Sequence, residues 1–328
     1  MFQRELRVAG KIEPYLNASA RTSSVVHSLS MSLAIPDTPP CVMCLSAGDA
    51  TAGGGLAADV LTLASMGCHP LPVQTAALVR DTRGIDELWP AEPELLAMQA
   101  RAVLEDVPVA AFKLGFCGSV ENAAAIAEIL SDYPEVPLVV EPALHVAGLL
   151  GEDGDEIVAA LADLILPQTT LLVADRHELL RLAGVAGDEG WADEEGEDEG
   201  GDEGEGAAAA SDVDVDEALE RLLGNGTEFV LLTGGGEHGP QLINTLFGSE
   251  GMIRTDAWPR PAAPCLGAGA TLAAAAAAAM AHGMAVPEAV SEAQEFTRQA
   301  LLHAYRAGMG RAVPDRFFWA RGKGVEDD

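Results

Sequence analysis

The feature that most constrains this chain lies near its end. There Gly267-Ala268-Gly269-Ala270-Thr271-Leu272 runs into an unbroken alanine row, Ala273 to Ala279. Alanine is the strongest helix former, so the row specifies a helix that needs little help from its neighbours, and its shallow surface suits close packing against a sheet. The first N–H groups of a helix have no internal partner, and the aligned peptide dipoles place roughly half a positive charge there. With no bulky side chain at residues 267–270, an anion can approach those N–H groups. Gly283 is well placed to end the helix. A close-packed structural helix with a glycine entry turn is the plainer reading of the same residues, and only the rest of the chain separates the two.

Residues 41–47 are apolar and short, bounded by Pro39-Pro40 and Gly48-Asp49, which reads as a buried strand. Asp49-Ala-Thr-Ala-Gly53-Gly54-Gly55 follows, and then a helix over residues 56–66. Strand, glycine turn, helix is an order that carries backbone N–H groups to the carboxyl edge of a parallel sheet. The loops G-x-G-x-x-G and G-x-x-x-x-G-K-[ST] are both absent. Further strands are expected at 71–79, 110–114, 138–141, 171–174 and 228–233, and a hairpin pairs 242–247 with 252–256. Helices are expected at 94–105, 120–131, 156–164, 213–223 and 287–305. This alternation predicts a doubly wound parallel sheet with helices on both faces. Asp49, Arg80, Glu141 and Asp175 fall at carboxyl ends of the strands, the edge where such sheets hold ligands.

Charge excludes one class of partner. The formal net charge is −32, and the only lysines are Lys11, Lys113 and Lys323. Fifteen acids lie between Asp188 and Glu217, and taking them from −32 still leaves roughly −17. Phosphate neutralisation needs a basic stripe, so no nucleic-acid partner is expected. Residues 187–212 are almost wholly Asp, Glu, Gly and Ala, a composition that buries too little apolar surface to order itself, and read as an acidic low-complexity insertion rather than a metal-binding patch. Cys41-Val-Met-Cys44 has C-x-x-C spacing, but it lies in an apolar run with no second pair nearby, which reads as core. No apolar run reaches membrane-spanning length, so no membrane partner is expected. Residues 1–40 show neither a secretory apolar region nor transit-peptide character, and read as a partly mobile extension before a domain at 41–322; the expected location is cytoplasmic.

Several stretches, taken in order, carry a resemblance. These are residues 45–59 from Leu45 to Asp59, Lys113-Leu-Gly115, Val139-Val-Glu141-Pro142, Asp175-Arg-His-Glu178, Leu231-Leu-Thr233-Gly234-Gly235, residues 266–271 and Arg316-Phe-Phe-Trp319. Across about residues 41–320 the succession is similar to that of hydroxymethylpyrimidine/phosphomethylpyrimidine kinases, a branch of the ribokinase-like superfamily. The resemblance implies a three-layer α/β/α sandwich with a mainly parallel central sheet, and a phosphotransferase acting on an alcohol. Its implied activity is ATP-dependent phosphorylation of a small pyrimidine alcohol in thiamine biosynthesis, with Mg2+ and a homodimeric state.

Residue by residue, the resemblance places an anion hole at Gly267, Ala268, Gly269 and Ala270. It places Asp49, Gly54, Asp59, Arg80, Phe116 and Ala143 around the substrate, and Asp175, Glu178, Thr233 and Gly235 on the ATP side. Glu141 and Glu178 are the implied metal-side acids. The plainer alternatives are a structural carboxylate for Asp59 and a core ring for Phe116.

Four positions depart from the pattern. Ala270 stands where the superfamily has Asp and the pyrimidine kinases have Cys, and alanine cannot take a proton. Cys265 lies five residues too early to substitute without rearrangement. Arg80 replaces a ring-recognising Gln and can donate but not accept. Asp175 replaces Asn, and Thr233 replaces Lys. The sequence therefore supports a working kinase whose base comes from elsewhere, a degenerate relative that binds without turnover, and a kinase for another alcohol, pyridoxal-like or anionic.

Overall fold

The computed structural model describes residues 38–185, 212–235, 239–261 and 263–321. Most of the N-terminal extension and nearly all of the acidic insertion lie outside these residues.

The first strand sets the layering. In β1 (Cys41–Asp49), Met43, Leu45 and Ala47 join one buried cluster while Val42 and Cys44 join another, so alternate residues feed the two faces of a sheet buried on both sides. β1 leads through the glycine turn into α1 (Gly55–Ser65), then β2 (His69–Arg80), β3 (Ile85–Pro90), α2 (Pro93–Leu104), β4 (Val109–Leu114), α3 (Val120–Ser131) and β5 (Leu138–Val140). A short α4 (Leu144–Ala147) precedes α5 (Glu152–Ala160), β6 (Leu171–Asp175) and α6 (Arg176–Leu182). α7 (Asp212–Gly224), β7 (Phe229–Gly235), β8 (Gln241–Gly248), β9 (Gly251–Pro259), α8 (Ala268–Ala281) and α9 (Val286–Leu302) complete the domain.

The nine strands form one sheet in the order β3-β2-β1-β4-β5-β6-β7-β8-β9. β2, β1, β4, β5, β6 and β7 run parallel, whereas β3, β8 and β9 are antiparallel at the edges. α1, α8 and α9 pack on one face; α2, α3, α5, α6 and α7 pack on the other. The expected α/β/α sandwich is the observed one.

Three expectations need correction. β3 was not anticipated, because its residues alternate too weakly: most are exposed on an edge strand and only Ile85 and Leu88 reach the core. The helix expected at 156–164 begins four residues earlier, its first turn carrying Glu152, Asp153 and Asp155, where acids favour a helix start, and it continues as a π-helical turn over residues 161–165. Pro287 proves to be a first-turn residue, and α9 stops at Leu302, short of the expected Tyr305.

Strand order reverses between β1 and β4: β1 is followed by β2 on one side, and β4 returns on the other. In doubly wound sheets the crevice at this point, outside the carboxyl ends, holds the ligand. The glycine turn follows β1 and Gly115 follows β4, so both open onto it.

Candidate active site

The alanine row is almost wholly sealed: Ala273 to Ala278 have no exposed surface. α8 packs against α1 on one side and over β4 and β5 beneath. Its N-cap, Gly267, has φ +66° and no side chain caps the helix. A side chain at Gly267 would collide with the carbonyl of Gly53 and come within 2.8 Å of the Gly54 Cα. The glycine turn and the mouth of α8 therefore touch backbone to backbone across 213 residues of sequence, and Gly54 and Gly267 face one crevice. The helix is a close-packed core element, as the plainer reading has it, and no side chain caps its N-terminus.

Asp49 shapes the turn. Its carboxylate accepts from Thr51 N at 2.8 Å, Thr51 Oγ1 at 2.7 Å and Gly54 N at 3.0 Å. Arg80, from the neighbouring strand, lies with Nη1 3.6 Å from the same carboxylate. The Asp49 carboxylate thus already offsets the charge of Arg80, leaving less of it for an anionic alcohol. Arg80 also lines a cavity of about 400 Å³ with Ala50, Thr51, Thr82 and Met309.

Beneath the crevice lies a buried ionic group. Lys113 of β4 has no exposed surface; its Nζ stands 3.0 Å from Asp59 Oδ1 and 3.6 Å from Glu141 Oε2, and donates to Ser46 Oγ at 3.3 Å. Ser46 in turn donates to Asp59 Oδ2 at 2.5 Å. Asp59 is fully buried and serves this group, so its carboxylate is structural in the first instance. Burial alone would lower the Lys113 pKa, but Asp59 and Glu141 outweigh it and raise the value. Lys113 was read from the sequence only as part of a resembling stretch and given no role in the site, although a lone lysine in Ala110-Ala111-Phe112-Lys113-Leu114 is a signal in itself. Phe116 is 2% exposed and packs in the core, so its ring serves packing.

Glu141 points toward α8. A side chain at Gly269 would meet its Oε1 at 2.9 Å. Burial pushes the Glu141 pKa up to about 7, with Lys113 pulling it down and Asp59 and Asp175 pushing it further up. Glu178 is raised well above its ordinary value by burial, then by Asp175 and Glu141. Asp175 and Glu178 form a reciprocal capping box at the start of α6: Glu178 N donates to Asp175 Oδ1 at 2.8 Å, and Asp175 N donates to Glu178 Oε2 at 3.2 Å. Glu178 also accepts from Leu144 N at 3.0 Å, which fixes the turn after Ala143, a residue in the left-handed region at φ +50°. Among the described residues no group of three or more His, Cys, Asp or Glu is arranged to hold a metal, so Glu141 and Glu178 offer at most a paired site.

The raised value at Glu141 sets a sign. Between its ordinary value of 4.5 and about 7 the folded chain keeps a proton that the unfolded chain has shed, so this contribution to stability falls as pH rises through that window. Glu141→Gln is expected to be more stable than the parent at pH 8 by about 2–3 kcal/mol and nearly equal at pH 5. Urea unfolding at the two pH values checks this, and equal differences at both would contradict it.

On the far side of the crevice, Thr233 Oγ1 donates to Ala174 O at 3.3 Å, and Gly234 N to the buried Asn244 at 3.2 Å. Asn244 is held by Gln294 of α9, which Asp256 and Trp258 also bond. Ala270 is buried and its side chain brings no polar atom. Cys265 does not reach in: its thiol is directed to Ala263 O, and burial raises its pKa.

The sheet order, the uncapped helix mouth and the glycine turn together define a ribokinase-like α/β/α protein. Similar solved structures include Staphylococcus aureus pyridoxal kinase in complex with pyridoxal (TM-score 0.72, 20% identity, covering 87% of this chain and 96% of that one). Another is the ADP complex of Bacillus subtilis pyridoxal kinase (TM-score 0.69, 18% identity, 86% and 99%). A third is phosphomethylpyrimidine kinase from Clostridium difficile (TM-score 0.61, 23% identity, 80% and 100%). At these identities the likeness is one of fold. The phosphomethylpyrimidine kinase family profile matches residues 49–197 and 205–315, and the chain belongs to that family. A hydroxymethylpyrimidine/phosphomethylpyrimidine kinase of Streptomyces coelicolor is 30% identical over 297 residues, covering 88% of this chain and 98% of the relative. One of Mycobacterium tuberculosis is 31% identical over 286 residues, covering 86% and 95%. The break in the profile match, residues 198–204, falls inside the acidic run.

Proposed function

We propose that the chain transfers a phosphoryl group from ATP to the hydroxyl of a hydroxymethylpyrimidine-type alcohol, a reaction of thiamine biosynthesis. The observation that carries this reading is the backbone contact between the glycine turn and the mouth of α8. With no side chain capping α8, this contact supports a phosphate-binding role for the helix mouth near the point where β1 and β4 part. Family membership and the named activity of the relatives support it. The similar folds of S. aureus pyridoxal kinase bound to AMP-PCP with pyridoxal, and to ADP, support a nucleotide donor.

Phosphoryl transfer asks for positioning and charge stabilisation more than covalent chemistry. The α8 amides stabilise charge on the moving group, and the Asp49-braced turn holds the acceptor end of the crevice. Glu141 and Glu178, whose pKa values are raised by burial and by neighbouring acids, fit a divalent cation, whose charge would relieve that crowding. Mg2+ bound there would neutralise phosphate charge. No described helix is long and apolar enough to cross a membrane.

Ala270 motivates a second reading, a homologue that binds but turns over slowly, because the side chain at that position cannot take a proton. A general base contributes about 10²–10⁴-fold, so its loss slows a kinase without abolishing it. Ala270→Cys is therefore expected to raise kcat with ATP and hydroxymethylpyrimidine by about tenfold or more. A parent already fast, with no gain in the variant, would retire the second reading. No phosphorylation of hydroxymethylpyrimidine by either protein would retire the first.

A further inference from the structure

Arg316 lies in the tail after the last helix and is only 2% exposed. Its Nη2 donates to Gly53 O at 2.7 Å and its Nη1 to Ala52 O at 3.0 Å, both in the glycine turn. Its Nε donates to Thr271 Oγ1 at 3.1 Å, and that hydroxyl donates to Gly267 O at 2.7 Å. One planar guanidinium thus bonds the turn after β1 and the first turn of α8 at once, and only a rigid fork of donors can do this. The backbone beneath it is fixed as well: Ser65 of α1 donates to Arg316 O at 2.5 Å, and Trp319 Nε1 donates to the same serine at 2.9 Å.

The charge matters as much as the bonds. All three acceptors are neutral oxygens, and among the described residues no carboxylate lies within ion-pair distance of Arg316. Burying a cation is costly unless it is hydrogen-bonded and offset. Here burial still lowers the Arg316 pKa to about 10, and three hydrogen bonds and the more distant carboxylates of Asp59 and Asp49 offset only part of it. Through Thr271 the guanidinium is tied to the first turn of α8, and its charge has the same sign as the helix dipole there. Across the crevice, Thr233 brings no charge.

We propose that Arg316 is the positioning residue of the phosphate cradle, holding its two halves in contact and supplying the buried positive charge that attracts a polyphosphate. The inference takes from the proposed function only that the cradle receives phosphate.

The test needs no turnover. Inorganic tripolyphosphate is titrated into the full chain and its affinity read by calorimetry. Arg316→Gln, Arg316→Lys and the surface control Arg298→Gln are compared, with folding monitored by near-UV circular dichroism. Arg316→Gln is expected to bind about tenfold or more weakly, Arg316→Lys to lose less because it keeps the charge, and Arg298→Gln to match the parent. Should the glutamine variant not fold, the lysine variant decides: a loss of about threefold to tenfold in the folded protein supports the inference. Binding by the folded Arg316 variants within about threefold of the parent overturns it, as does an equal loss in Arg298→Gln. So does a parent that does not bind tripolyphosphate. A parent that binds tripolyphosphate through Arg316 yet leaves hydroxymethylpyrimidine unphosphorylated sinks the proposed function and spares this inference.

Discussion

Gly267→Ala is expected to lower kcat by about 100-fold or more and to destabilise the protein by several kcal/mol. Two effects add. At φ +66° any L side chain is strained, which costs roughly 1–2 kcal/mol. Beyond that, the new methyl meets backbone on both sides, the Gly53 carbonyl and, at 2.8 Å, the Gly54 Cα. Neither can rotate away as a side chain would, so the turn and the helix must part. A misplacement of about 1 Å in a positioning element can itself cost on the order of 10²-fold in rate. Gly283→Ala is the internal control. Its φ is +88°, but nothing stands within 4 Å of where the methyl would go, so strain alone remains. The control should lose roughly 1–2 kcal/mol and keep its rate. Thermal unfolding with steady-state kinetics separates the two, and equal losses in both variants would mean the backbone contact does not exist in solution.

The second large effect is expected at Lys113. Lys113→Met removes the cation from a fully buried carboxylate at 3.0 Å and from Glu141 at 3.6 Å. Breaking a buried ion pair from one side costs about 3–5 kcal/mol, because the stranded charge is left without compensation. Most of the loss belongs to Asp59, which has no exposed surface, and less to Glu141, whose raised pKa lets it take up a proton instead. Adding Asp59→Asn to Lys113→Met should therefore recover more than half of the loss. Urea denaturation of the two single variants and the double variant reads this directly. A loss under about 1 kcal/mol in Lys113→Met would show that the lysine is neither buried nor paired as described.

The parts of the fold legible in the sequence are those fixed locally. The alanine row, the glycine run after an apolar strand and the alternation of strand and helix each follow from neighbours in the chain, and α3 falls at its expected residues. β3 was hidden because an edge strand has no need to bury one face, so its pattern carries little apolar signal. The site divides in the same way. Which residues reach the carboxyl edge was readable, since strand ends announce themselves. Which of them pair was not. Asp49 meets Arg80 only because β1 and β2 lie side by side in parallel register, and Lys113 meets Asp59 only once β4 is laid beside β1 and α1 folds back over them. Arg316 was visible only as part of a family-like tail, because nothing in Arg316-Phe317-Phe318 says that its fork closes on residues 263 and 264 positions earlier.

The long reach between residues 53 and 267 has a consequence for how ligand and folding are linked. A nucleotide held there touches both extremes of the domain's connectivity, so no partial structure lacking either end can bind it with full strength. Occupancy should then protect amide hydrogens throughout the sheet, strands remote from the crevice included, instead of quieting only the loops that line it. In such a protein a phosphate bound there would act as a fastener for the whole molecule.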